Sequence, residues 1–175
     1  MEPKERLRAQ IKVLTERVDR HVELPNYGFG NPALSDFKIR AKDKTFYVSK
    51  YQLAVKSRVF AKMFEVDMNE KKEGVMKLDD DPDVVEAMLK YMYMYKKVEG
   101  IELARKVVQL AHRYEIDELK DQCELDMIRG LKEKDAEDIL MFSWELKLST
   151  LYLHCIDVLN NNFDGFDHDI TFNCD

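Results

Sequence analysis

The groups with most chemical capacity in this chain are three cysteines (Cys123, Cys155, Cys174), four histidines (His21, His112, His154, His168) and the aspartate run Asp79–Asp81. A metal site needs three or four such ligands converging at short, characteristic spacings. The cysteines are odd in number and far apart, and the histidines are scattered. His112 and Cys123 fall on successive helical stretches and could meet, but a pair does not make a metal site. His154 and Cys155 are adjacent in a helical pattern, so they project from different faces and cannot form an activated thiol pair with each other. The aspartate run lacks the glycine and the distal glutamate of a calcium loop. The one Gly-x-Gly, Gly28 to Gly30, sits in a turn with no strand feeding it, which excludes a phosphate-binding loop. Each of these groups reads as a packing or surface residue. No nucleophile, base, metal ligand set or cofactor site emerges, and the chain reads as non-catalytic.

A different kind of chemistry is carried by "FEVDMNEKKEG", Phe64 to Gly74. Most of these residues are charged, yet Met68 sits among them, and no helical or strand period joins it to other apolar residues. An apolar side chain in a loop that otherwise reads as solvated raises the question of what covers it. The single Trp144 poses a related question. It is either a packing residue or, if exposed, an anchor for a partner.

Composition narrows the class. The 175 residues are 45% hydrophobic and 35% charged, enough for one globular domain with a small extension. Six glycines and four prolines, against many Leu, Met, Lys and Glu, point to a mostly helical protein. The net charge is −6, with acids and bases interleaved and no basic stripe, which argues against nucleic-acid binding. The N-terminus "MEPKERLRAQ" has no apolar core and does not read as a signal peptide. No apolar run reaches the roughly 18 residues of a membrane span. With Cys123 and Cys155 at apolar helical positions, the expected home is a reducing compartment, cytoplasmic or nuclear.

The elements that must position these residues follow from periodicity. Leu7, Ile11, Leu14, Val18 and Val22 recur at spacings that predict a helix over residues 4–22. Its stripe is narrow, and two readings stay open: a helix packed on its own domain, or a self-association helix. "LPNYGFGNP", Leu24 to Pro32, is a linker or turn. Phe37, Ile39 and Ala41 alternate with Lys38, Arg40 and Lys42, predicting a strand, and a turn at Asp43–Lys44 leads to a second strand from Thr45 to Val48. Leu53 and Ala54 begin a short helix, and Ser57 is placed to cap the next, with Val59, Phe60, Met63 and Phe64 on one face. Val75, Met76 and Leu78 make a third strand. One of Asp79–Asp81 is placed to cap a helix that starts at Pro82 and buries Val84, Val85, Met88, Leu89 and Met92. Four more helices are lined by Leu103 to Tyr114, by Leu119, Cys123 and Met127 after a cap at Asp117, by Ala136, Ile139, Leu140 and Ser143 after a cap at Asp135, and by Leu151, Cys155, Val158 and Leu159 after Ser149 or Thr150. The tail from Asn160 is polar and turn-rich, with three phenylalanines that leave room for docking. A small sheet interleaved with helices, then an all-helical end, is an α+β arrangement, distinct from the regular alternation of a doubly wound nucleotide-binding fold.

"LSDFKIRAKDKTFYVSKYQLAVKSRVFAKMF" resembles the opening of a BTB/POZ domain. The likeness runs through Ser35 and Asp36 before the first strand, the hairpin, Lys50 at the start of a helical hairpin, and the segment Ser57, Phe60, Met63, Phe64. "VVEAMLKYMYMY" resembles the family helix that ends in a Phe-Ile-Tyr-like triad, here Tyr91, Met92 and Tyr93, and "VVQLAHRYEIDELKDQCE" its following helical pair. "DAEDILMFSWELKLSTLYLHCIDVLNN" is similar to the three-box appended to speckle-type POZ proteins. The resemblance divides the chain into a helix at 1–24, a linker at 25–33, a BTB/POZ domain at 34–130, a three-box-like helical pair at 131–162 and a tail at 163–175. Three features depart from the family pattern. Ser49 stands where a histidine is common, Met94 and Tyr95 stand where a glycine usually follows, and an eleven-residue stretch separates Leu24 from Asp36.

The resemblance implies a partner for the odd loop. Family members that recruit cullin-3 carry a hydrophobic-x-Glu motif after the Met-Phe helix, and Met68, Asn69 and Glu70 match it in place. A flexible methionine suits a shallow groove on a partner, with Glu70 orienting the contact. The alternative is that Met68 folds back on its own core. The resemblance further implies a homodimer through Ile11, Leu14 and Val18, a charged pair, Asp36 and Lys50, in the central groove, and a role as adaptor of a ubiquitin ligase complex for an unknown substrate protein. The rival expectation is a self-associating scaffold without cullin, of the transcriptional or channel-assembly type.

Overall fold

The computed structural model describes residues 3–26, 28–65 and 74–160. Strand β1 (Phe37–Ala41) is the centre of the sheet. Phe37, Ile39 and Ala41 are buried while Lys38 and Arg40 face out, the alternation that a strand with one covered face requires. It pairs antiparallel with β2 (Lys44–Val48), Phe37 opposite Val48, and parallel with β3 (Val75–Leu78), Lys38 opposite Val75, giving the order β2-β1-β3. The turn lies at Lys42–Asp43, one residue earlier than the sequence suggests. Lys44 belongs to the ladder, opposite Ala41, and its ammonium is paired with Glu86.

Eight α-helices lie among the described residues. They are α1 (Pro3–Val18), α2 (Lys50–Lys56), α3 (Arg58–Glu65), α4 (Pro82–Met94), α5 (Ile101–Arg113), α6 (Asp117–Gly130), α7 (Ala136–Glu145) and α8 (Ser149–Leu159). Their predicted apolar faces turn inward. Val85, Met88, Leu89, Val107, Leu119, Cys123, Met127, Leu151 and Cys155 have no exposed surface. The Cys123 thiol is pushed well up by burial and that of Cys155 up to about 12 by the same cause, so both stay protonated and act as small hydrophobes.

Helix α1 ends four residues short of the predicted Val22, which is 74% exposed. Tertiary contacts end it. The N–H of Leu24 donates to the carbonyl of Met94 at 2.7 Å, and His21 stacks on Tyr95 at 4.5 Å, so the chain must leave the helix axis after Val18. Helix α1 packs on α6 and α8 of its own chain, with Leu7, Leu14 and Val18 buried.

Capping differs from expectation in an instructive way. Asp81 stands at the N-cap of α4 but its carboxylate is held by Lys42 instead of the helix amides. Asp117 is the first residue of α6, not its cap, and pairs with Arg58 at 2.8 Å. Asp135 precedes α7 without a capping hydrogen bond. Ser57 does cap α3, accepting from the N–H of Phe60 at 3.1 Å. Several helix ends are instead tied by distant side chains. Buried Glu124 of α6 accepts from the N–H groups of Thr150 (2.8 Å) and Leu151 (2.9 Å) at the start of α8. Buried Gln122 clamps the Val98 backbone with its side-chain amide, the oxygen accepting from the Val98 N–H and the nitrogen donating to the Val98 carbonyl, at 2.9 Å each.

Burial pushes the Glu124 carboxyl up, and the two backbone hydrogen bonds offset part of that. The folded protein therefore holds this proton more tightly than the unfolded chain, and Glu124 makes stability fall as pH rises above the ordinary glutamate range. Two outcomes are expected in urea unfolding followed by circular dichroism. Glu124→Ala costs about 1–3 kcal/mol, because two buried amides lose their acceptor. Glu124→Gln keeps an acceptor without charge, and its stability relative to the parent improves with increasing pH.

Candidate functional site

The frame around the odd loop is built by α2, α3 and the strands that precede and follow them. Asp36, just before β1, reaches across to the start of α2, where its Oδ1 accepts from the Lys50 N–H at 2.7 Å. The preceding N–H, of Ser49, donates to the Tyr93 hydroxyl at 2.6 Å. Ser49 sits at the N-cap without capping through its own side chain, so two residues remote in sequence do that work. Asp36 and Lys50 are thus adjacent, but their bond uses the Lys50 backbone N–H and is a helix-capping contact, not the charged pair that the resemblance implied. The Lys50 ammonium lies 5.7 Å from the Phe37 ring centroid and 6.0 Å from that of Phe64, within cation–π range.

Helix α3 is held by an aromatic column. Phe60, fully buried, stacks on Tyr114 at 4.6 Å with the rings nearly parallel, and Phe64 meets Phe37 edge-on at 5.1 Å. The Ser57 hydroxyl, which caps this helix, donates in turn to the Tyr114 carbonyl. The far side of the loop is fixed at Gly74, whose φ of 66° suits glycine and whose carbonyl accepts from the Lys38 N–H of β1 at 3.0 Å. Met68, Asn69 and Glu70 lie outside the described residues.

The predicted self-association stripe is placed inward. Leu14 is fully buried and Val18 is 4% exposed against the chain's own helices, with Ile11 half-buried. Of the two readings of α1, packing on its own domain is the contact present. Outward apolar side chains sit elsewhere. Tyr51 and Val55, one turn apart on α2, are 74% and 58% exposed, and Met141 and Trp144 on α7 are 62% and 66% exposed. Sequence reasoning missed the α2 pair. Its signal is a four-residue spacing on the side of α2 opposite the fully buried Leu53.

The structural role of Tyr95 was not foreseen. With Met94, Tyr95 marks the departure from the family's expected glycine, and it takes the left-handed conformation, φ 54°, at the end of α4. A tyrosine pays strain there, which ring contacts offset. His21 stacks on one side, the Lys56 ammonium lies 4.0 Å from the ring centroid and bonds the hydroxyl, and Tyr91 packs edge-on. Glu118 of α6 pairs with Lys56 at 3.3 Å and faces His21 at 3.7 Å. This node ties the end of α1 to α2, α4 and α6. His112 and Cys123 do not meet. His112 is exposed beside Lys120, while Cys123 is in the core.

Among the described residues, no group of three or more His, Cys, Asp or Glu is arranged to hold a metal ion, and no helix is long and apolar enough to cross a membrane. A three-stranded sheet edged by helical hairpins, with a helical pair appended, defines a class of protein-interaction domain. The family model of the BTB/POZ domain matches residues 28–131, and the chain belongs to that family. A BTB/POZ domain-containing protein of Arabidopsis thaliana is 29% identical over 127 residues, which cover 71% of this chain and 39% of that relative. The chain therefore spans about two fifths of that relative's length. Among solved structures, the BTB domain of zebrafish PATZ1 is similar with a TM-score of 0.47 and 16% identity, over 66% of this chain and 86% of that one. Membership makes this chain a protein-interaction module of a generally non-catalytic kind.

Ser57→Ala is expected to lower stability by about 1–3 kcal/mol, because the buried N–H of Phe60 and carbonyl of Tyr114 both lose a partner. Urea titration monitored by circular dichroism measures this. A cost within error of zero contradicts the role given to this hydroxyl in holding α3.

Proposed function

We propose that this chain is a BTB adaptor that binds cullin-3 through Met68, Asn69 and Glu70 and brings a substrate protein to the ubiquitin-charged enzyme. Such an adaptor acts by proximity and needs no catalytic group of its own. The observation that carries the reading is the pairing of sequence and frame. A hydrophobic-x-Glu tripeptide lies between α3 and β3, and both flanks are pinned, α3 by the aromatic column and Gly74 by its hydrogen bond to β1. A flexible thioether carried between two fixed ends suits a shallow groove on a partner surface. Helices α7 and α8 resemble the three-box of speckle-type POZ adaptors, which supports the same reading.

The adaptor is proposed to be a homodimer. Pairing through Ile11, Leu14 and Val18 requires α1 to exchange between subunits, because the single chain already covers Leu14 and Val18. The outward pair Tyr51 and Val55 favours a second reading, a self-associating scaffold without cullin, in which α2 meets its copy. The buried, protonated thiols Cys123 and Cys155 suit the cytoplasm or nucleus.

The adaptor reading predicts that Met68→Glu with Glu70→Lys weakens binding to the cullin-3 N-terminal domain by on the order of 2 kcal/mol or more, read by calorimetry. Unchanged affinity removes the assigned site, and absence of affinity in the parent favours the scaffold.

A further inference from the structure

The outer face of the sheet gathers charges that the sequence keeps apart. Lys38 and Arg40 of β1 are exposed, and the parallel ladder sets exposed Lys77 of β3 beside Arg40 and half-buried Val75 beside Lys38. On the other side, β2 sets Tyr47 beside Lys38 and Thr45 beside Arg40, both half-buried. These six share one face, because the alternate residues, Ile39 and Phe46 among them, are buried on the other. The Lys38 ammonium lies 5.5 Å from the Tyr47 ring centroid, within cation–π range.

The three charged positions carry one sign. A strand rises about 3.3 Å per residue and neighbouring strands lie about 4.8 Å apart, so the backbone of Arg40 stands within about 7 Å of that of both other cations. Neighbouring like charges repel, whereas a solvated face gains from cross-strand pairs of opposite sign. The cations just outside the face are neutralised, Lys42 by Asp81 and Lys44 by Glu86. Among the described residues no ion pair involves Lys38, Arg40 or Lys77. A lysine on edge strand β3 discourages pairing with a strand of another chain. That reason does not extend to Lys38 and Arg40, whose strand is paired on both sides. The chain holds 34 acidic against 28 basic residues, so a face with three cations and no carboxylate runs against its composition.

Such a face is complementary to carboxylates on an extended chain. Alternate side chains of an extended peptide project to one side about 6.6 Å apart, which is the spacing of Lys38 and Arg40 along β1. The Arg40 guanidinium presents a fork that suits a carboxylate in two parallel hydrogen bonds. Tyr47 and Val75 flank Lys38 with apolar surface for the side chains between. A nucleic acid or an anionic membrane presents many phosphates over a long span. Such a ligand needs a larger cationic surface than three residues and is repelled by a chain of net charge −6.

We propose that the outer face of the three-stranded sheet binds an acidic, extended segment of another protein, with carboxylates at alternate positions on Lys38 and Arg40 and a further contact at Lys77. The partner's charge relieves the repulsion that the free protein carries. The proposal is independent of the adaptor reading, because neither residues 68–70 nor α2 is part of this face.

The probe is a fluorescein-labelled peptide of alternating Glu and Thr, about ten residues long, titrated with the 175-residue chain and followed by anisotropy. Arg40→Glu places a carboxylate between Lys38 and Lys77, so the fold is retained by circular dichroism and affinity is expected to fall about tenfold or more. Lys134→Glu, the same charge change in the exposed turn before α7, is expected to leave affinity within about twofold. The same peptide with Gln for Glu is expected not to bind, and added salt is expected to weaken the Glu peptide. Lys77→Gln reads the repulsion itself. At low salt its urea midpoint is expected at or above that of the parent, while its affinity for the peptide is lower. No binding of the Glu peptide by the parent overturns the proposal, as does an equal loss in Arg40→Glu and Lys134→Glu. A lowered midpoint in Lys77→Gln overturns it by making that cation structural. Tighter binding of a single-stranded oligonucleotide or of phosphatidylserine vesicles overturns the assignment to a protein segment.

Discussion

Helix α6 is the member on which the helical layers depend. Its apolar residues Leu119, Cys123 and Met127 are wholly buried, and α5, α1 and α8 all pack against it. Two of its polar residues are buried as well, and both are spent on other segments' backbones. Gln122 clamps Val98 in the connection between α4 and α5, and Glu124 caps α8. A buried carboxylate is costly unless its lone pairs are used, and here both bonds go to otherwise orphaned helix amides. The appended helical pair is therefore joined to the domain by a specific polar bond as well as by apolar packing, and residues 136–159 form one body with the family domain that precedes them.

The same device recurs around α2 and α3. Asp36 supplies the acceptor for the first amide of α2, Tyr93 that for the residue before it, and Ser57 joins α3 to the Tyr114 carbonyl. Each bond links elements far apart in sequence. Together with the Phe60–Tyr114 stack they hold the hairpin that leads into the Met68 loop. If the proposed adaptor role holds, fixed flanks lower the entropy lost when a partner binds between them.

Much of the fold was legible because burial follows period. The alternation of Phe37, Ile39 and Ala41 and the helical faces containing Met88, Leu119 and Leu151 all turn inward as their spacing demands. The caps were less legible. Aspartates 81, 117 and 135 have the right residue type at the right place, yet Lys42 and Arg58 compete for the first two carboxylates, and the acceptors for α2 and α8 come from Asp36 and Glu124, which no local pattern reveals. The end of α1 failed for a similar reason. Val22 continues the spacing, but the His21–Tyr95 stack and the Leu24–Met94 hydrogen bond draw the chain away. Of the candidate site, the nearness of Asp36 and Lys50 was anticipated, but the bond between them runs through the Lys50 backbone N–H and is not the charged pair the resemblance implied. The inward placement of Leu14 and Val18 was not legible, because a narrow stripe fits a partner helix and a domain surface equally well. The exposure of Trp144 and Tyr51 likewise depends on what packs beside them, which spacing alone does not state.

The proposed adaptor role rests on the pinned flanks of residues 66–73, α3 on one side and Gly74 on the other. Size-exclusion chromatography with light scattering, run on the chain alone and with the cullin-3 N-terminal domain, tests this most directly. Co-elution is expected at a mass that contains both proteins, with one cullin domain per copy of the chain. Two separate peaks at their individual masses, from a chain whose circular dichroism is that of the folded helical protein, would contradict it.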